Sequence, residues 1–216
     1  MTEFFDICLL LLDGLKFTLG LFAVTIVLSL PLGLLLTFLR NGKFAPLRWL
    51  TGVYVYLMRG TPLMLQLFFF CYGLPFLPVI GKYMVMGRFT VASVAFVLNY
   101  AAYFCEIFRG GLLSIDKGQY EAAQVLGFTR VQTLLGIVLP QMLHVTLPSI
   151  ANECITLLKD TALATAISIT EVLFFAQKAA NRLVSFLPYL AAALYYLFFN
   201  LLLTKLFDWL EKKYSY

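Results

Sequence analysis

Long apolar runs with sparse polar interruptions organise this chain. The stretch "LGLFAVTIVLSLPLGLLLTFL" (19–39) does not alternate as a membrane-barrel strand does. Several such runs reach the roughly 20 residues that a helix needs to cross a bilayer. Backbone in hydrocarbon must satisfy its own hydrogen bonds, so the choice lies between helices and a closed barrel, and the missing alternation selects helices. The pattern predicts an all-α integral membrane protein with about five transmembrane helices, at 15–39, 54–80, 89–109, 148–170 and 187–207. Pro31 lies inside the first, as membrane helices tolerate. The second carries "RGTP" in its first turns and thins out in "YGLPFLPVIGKY". The fourth lies within 141–172, and Pro148 suits its first turn. Residues 3–12 form a candidate interfacial helix ahead of the first span. We find no repeat, low-complexity segment or linker, and expect a single transmembrane domain over 1–216.

Composition agrees. Charged residues make up 12% of the chain and mean hydropathy is +0.89, whereas soluble domains have roughly a quarter of their residues charged. Short-loop Lys and Arg set the orientation. With the N-terminus outside and the C-terminus cytoplasmic, nine basic residues fall inside and five outside, with Arg59 and Lys159 left out as intramembrane. The net charge of +5 therefore reads as a topology signal, with no basic stripe for nucleic acid. The start, "MTEFFDICLLLLDGLKF", has Glu3 and Asp6 where a signal peptide has a basic region. Cys8, Cys71, Cys105 and Cys154 lie in apolar stretches without metal or redox spacing and read as small buried hydrophobes. His144 stands alone and reads as a packing or interfacial residue, so no metal site is expected.

The segment between the third and fourth spans, about 110–140, is too polar to cross a membrane and too organised for a slack linker. Asp116 can cap a helix over 117–126, Gly127 suits the left-handed position after it, and a second helix over 128–138 is expected to stop at Pro140. Such a pair of cytoplasmic helices is either a docking platform or packing under the bundle.

The residues of this loop resemble a known signature. Glu121-Ala122-Ala123, then Gly127, then Ile137-Val138-Leu139-Pro140 match every fixed position of the EAA loop of ABC importer permeases. "RGTPLMLQLFF" (59–69), "AAYFCEIFRGGLLSIDKGQ" (101–119) and "LLKDTALATAI" (157–167) look like the polar amino acid uptake branch of that family. The likeness covers nearly the whole chain. It implies that Glu121, Ala122, Ala123, Gly127, Ile137 and Pro140 belong to a coupling-helix loop seated on a cytoplasmic ATP-binding subunit. ATP and Mg would be bound by that partner, since this chain lacks a GxxxxGK[ST] loop and is expected to be non-catalytic with no cofactor of its own. The other implied partners are a second permease chain (a copy or a close relative), an extracytoplasmic substrate-binding protein, and the lipid bilayer of the bacterial inner membrane.

The fourth span carries the candidate chemistry. At about 100° per residue, Glu153, Asp160, Ser149, Thr156, Asn152 and Lys159 share roughly a third of the wheel. Charges inside a membrane are costly, so this face should line a cavity or a subunit interface. If the helix starts at Pro148, Asp160 lies about 18 Å in, near mid-membrane; if it starts at 141, Asp160 lies nearer the outer surface. Thr161, Thr165 and Ser168 mark a bend or break. We expect Asp160 to receive an α-ammonium, Lys159 an α-carboxylate and Glu153 a cationic side chain, which leans to arginine, lysine or histidine. The competing reading is a Lys–carboxylate pair that only fixes packing. Asn99 and Tyr103 on the third span are further substrate candidates, with Thr156. Arg59 and Glu106 are expected to pair as a structural or gating contact, with Gln66 on the Arg59 face. An ion-coupled secondary amino acid transporter is the alternative, though it leaves the EAA loop without a role. A membrane-embedded enzyme lacks any nucleophile–base or metal constellation.

Overall fold

The computed structural model describes residues 2–78, 81 and 86–214, and every regular element among them is helical. Helix α1 (Thr2–Asn41) runs unbroken for 40 residues, so the expected interfacial helix and the first span are one rod. Asp13-Gly14 between them does not break the helix, since Gly14 packs against the backbone of Glu171 and Val172, and Ile7 and Leu11 continue the buried stripe into the packing of the last two helices. Along α1 the residues Ile7, Leu11, Gly14, Thr18, Leu21, Thr25, Ser29, Gly33 and Thr37 face inward, while Val27, Leu28 and Leu35 face out. Small residues inside and large ones outside suit helix packing in lipid, where close approach matters more than burying grease. A Cβ at Gly33 would lie 2.7 Å from Phe104 Cβ, so only glycine allows this crossing with the third span. The Thr37 hydroxyl shares its proton between Gly33 O (2.8 Å) and Cys105 O (3.0 Å).

The second expected span is instead two short helices. Helix α2 (Ala45–Gly60) and α3 (Leu63–Phe68) belong to a pair bent by 105°. Pro62 has no N–H to donate and forces Thr61 into extended backbone (ψ 145°). A π-turn (Phe69–Gly73) and a 3-10 turn (Leu74–Phe76) follow α3. The expected end of this span at 79–80, and Lys82, lie outside the described residues.

Helix α4 (Arg88–Ser114) is the centre of the bundle. Its Phe96, Tyr100, Phe104 and Phe108 are buried one turn apart in the main core with Leu21, Met142, Cys154 and Leu157. Helix α5 (Lys117–Val125) forms where its caps predict: Asp116 accepts from Gly118 N, and Gly127 takes φ 79°. Gly127 N donates to Gln124 O and Phe128 N to Ala123 O, both at 3.0 Å, which closes the helix end.

Helix α6 (Arg130–Thr133) opens on a Thr129–Gln132 capping box and does not stop at Pro140. A π-turn (Leu134–Val138) joins it directly to α7 (Leu139–Asp160). That wide turn lies just ahead of Pro140, where a regular turn would set the proline ring against a backbone carbonyl. The fourth span therefore begins well before Pro148, which sits exposed inside α7. The chain then tightens into a 3-10 segment (Thr161–Ile167) ending at Ser168 (φ 61°), the break its polar residues marked. Helix α8 (Val172–Leu183) was not expected from the pattern, and α9 (Leu187–Tyr214) extends the fifth span to Tyr214. Among the described residues four helices are long and apolar enough to cross a membrane, or five spans if the bent pair counts as one. The cysteines are free, with Cys105 and Cys154 buried, and the His144 ring packs edge-on to Tyr214.

Candidate functional site

Helix α2 is too short at 16 residues to cross a roughly 30 Å core by itself, and its last carbonyls face the break before α3. Orphan carbonyls there need partners. Thr61 Oγ1 donates to Leu57 O (2.8 Å). Met58 O accepts from Gln66 Nε2 (2.9 Å) and from Asn99 Nδ2 (3.0 Å), and Gln66 Nε2 also reaches Thr61 Oγ1 (2.8 Å). Asn99 Nδ2 further donates to Gln66 Oε1 (3.1 Å). Gln66 and Asn99 are thus a buried cap for a broken helix. Gln66→Leu should destabilise the detergent-solubilised protein by about 2–3 kcal/mol through unpaired buried acceptors. Thermal unfolding checks this, and a change below about 0.5 kcal/mol would remove the cap from the account.

The break opens one wall of a cavity of about 450 Å³ between α2, α3, α4 and α7. Its lining includes Arg59, Thr61, Asn99, Tyr100, Tyr103, Glu153, Thr156 and Asp160. Five of the six residues expected to meet substrate are gathered there. Lys159 is not among the lining residues; it projects from α7 as an exposed side chain, because its neighbour Asp160 takes the inward position. Ser149, Asn152 and Thr156 are exposed on the same polar side of α7.

The two carboxylates differ. Asp160 Oδ2 accepts from Tyr100 OH at 2.8 Å. Among the described residues no donor reaches the Glu153 carboxylate, which leaves both its oxygens for something else. Tyr100 escaped the sequence reading, although it follows Asn99 directly; its bond spans 60 positions of chain. Among the described residues no three His, Cys, Asp or Glu side chains gather as a metal site.

The expected Arg59–Glu106 pair does not form. Glu106 is bound by Arg40 of α1 and by Arg109, whose Nε and Nη2 lie 3.0 Å and 2.8 Å away. Residue 109 stands one turn from residue 106, and Arg40 arrives at the matching end of α1, so both reach the carboxylate first. Arg59 turns to the cavity instead, its guanidinium 5.3 Å from the Tyr103 ring centroid.

Away from the cavity, the coupling-loop residues fall into two groups. Ala123 is buried and Ile137 half-buried, while Glu121, Ala122, Gly127 and Pro140 are exposed. At the tip, Val125 is 87% and Leu126 72% exposed, large apolar side chains that nothing among the described residues covers.

A polar cavity inside a helical bundle, joined by one helix to a capped loop outside it, defines a membrane permease subunit. The chain belongs to the family of binding-protein-dependent transport system inner membrane components, whose pattern matches residues 18–216, and within it to the amino acid ABC importer permeases. It is 38% identical over 204 residues to the arginine transport system permease protein ArtQ of Bacillus subtilis (strain 168), covering 94% of this chain and 91% of that one. It is also 38% identical over 173 residues to the L-cystine transport system permease protein TcyB of the same organism, covering 80% and 72%. A crystal structure of an amino acid ABC transporter with histidines superposes with a TM-score of 0.85 at 29% identity, over 94% of both chains. The MetNI methionine ABC transporter shares the fold, with a TM-score of 0.73 at 21% identity over 96% and 97%. Family members of this kind are non-catalytic membrane subunits, and these matches do not favour an ion-coupled secondary transporter.

Proposed function

We propose that this chain forms the translocation pathway of a bacterial inner-membrane importer for basic amino acids. The cavity carries the reading. Two carboxylates, Glu153 and Asp160, face it against one cation, Arg59, so a ligand with surplus positive charge complements it. Its volume of about 450 Å³ suits a small molecule. The exposed Val125–Leu126 tip supports docking of the loop on a cytoplasmic ATP-binding subunit, which binds ATP and Mg. The exposed polar side of α7 supports a second permease chain beside this one, and an extracytoplasmic binding protein delivers the amino acid. The pattern of basic residues supports an N-terminus outside and a C-terminus in the cytoplasm.

The relatives differ in what their names say they carry, arginine and L-cystine among them, so the preference needs a direct test. Isothermal titration of the permease–ATPase complex, without binding protein, against arginine, lysine, histidine, glutamine and glutamate should show binding of the basic members only. A complex that hydrolyses ATP but binds none of them would move selectivity to the binding protein.

A further inference from the structure

Arg59 is the one charge of the cavity that the sequence assigns to the wrong task. It ends α2 as an exposed side chain lining the cavity. Among the described residues no carboxylate lies within ion-pair distance of it. Glu106, its expected partner, is shared by Arg40 and Arg109. Arg59 rests instead with its guanidinium 5.3 Å from the centroid of Tyr103. An arginine at membrane depth is costly unless it meets an anion or water, and a cavity wall is where such a residue acts. Stacking on an aromatic face holds the planar group in place without using its donors. Those donors match a carboxylate in a two-bond fork. Lys159, the other cation that the sequence pattern puts inside a span, is exposed outside the lining.

We propose that Arg59 is the anchor for the substrate α-carboxylate, and that it makes the cavity select amino acids over the corresponding amines. This rests on the reading of the cavity as an amino acid site. The substrate then lies with its carboxylate at Arg59 and Tyr103 and its cationic groups towards Asp160 and Glu153. Removing the carboxylate from the ligand turns an attraction into a repulsion between like charges, so discrimination is strong.

The test is titration of the permease–ATPase complex with arginine and with agmatine, which is arginine without its carboxylate. The wild-type complex should prefer arginine by roughly 30-fold or more. Arg59→Gln should lower arginine affinity to the agmatine level and leave agmatine binding unchanged or tighter. Arg59→Lys should recover part of the preference, since it keeps the charge and loses the fork. Equal losses for both ligands in Arg59→Gln, or an undiminished preference for arginine, overturns the assignment. A wild-type complex that binds no basic amino acid overturns the cavity reading itself, and the assignment with it.

Discussion

Glu153→Gln should abolish uptake of arginine and lysine while leaving the transporter assembled. The substitution keeps the shape of the side chain and removes one of two negative charges from the cavity wall. Because nothing among the described residues donates to Glu153, no group is left unpaired by the change, and stability should move by under about 0.5 kcal/mol. Loss of a desolvated charge pair with a ligand costs about 2–5 kcal/mol, or roughly 30-fold or more in affinity. Uptake of labelled arginine into proteoliposomes, alongside size-exclusion chromatography of the complex, separates the two effects. Unchanged uptake kinetics would take Glu153 out of the pathway. Asp160→Asn is the informative contrast, since it also disturbs the Tyr100 bond and should lose both transport and some stability.

The largest stability effect is expected at Glu171, which is not among the cavity's lining residues. Its carboxylate is 1% exposed and accepts from Leu173 N (2.8 Å), Phe174 N (2.7 Å), Tyr196 OH (2.7 Å) and Thr165 Oγ1. One side chain therefore caps α8 and ties it to α9 and to the 3-10 segment. The adjoining backbone is held too, with Val172 N donating to Thr18 Oγ1 of α1 at 3.3 Å. Glu171→Ala strands four donors and should cost about 3–5 kcal/mol. At a few degrees per kcal/mol for a chain of this size, the thermal midpoint should fall by roughly 10 °C. Glu171→Gln keeps one acceptor for the helix cap and should lose less. A fall of under about 2 °C in the alanine variant would show that the four bonds are not the tie they resemble.

What the sequence made legible was local or periodic. Asp116 and Gly127 mark the ends of α5 because caps are read from single residues. The inward face of α7 is legible because 3.6 residues per turn fixes which side chains travel together. The break of α2 at Pro62 was visible as a residue but not as a fold, since proline is equally at home in the first turn of a helix. Glu106 found Arg40 rather than Arg59 because that choice depends on where α1 crosses α4, which no local pattern encodes. Asn99 lines the cavity, but its bond to the carbonyl of Met58 was not legible, because it depends on where α2 breaks. Helix α8 was missed because its cap is a glutamate, outside the usual set of N-cap residues.

The continuity of α6, the π-turn and α7 has a mechanical consequence. From Arg130 to Asp160 the chain is one rod about 45 Å long. Its lower end carries the exposed loop, and its upper part carries Glu153 and Asp160. A hinge at Pro140 would have let each end move without the other. A helix continuous through Pro140 and Pro148 behaves as a lever, so a tilt applied at the loop arrives at both carboxylates as a displacement in the cavity.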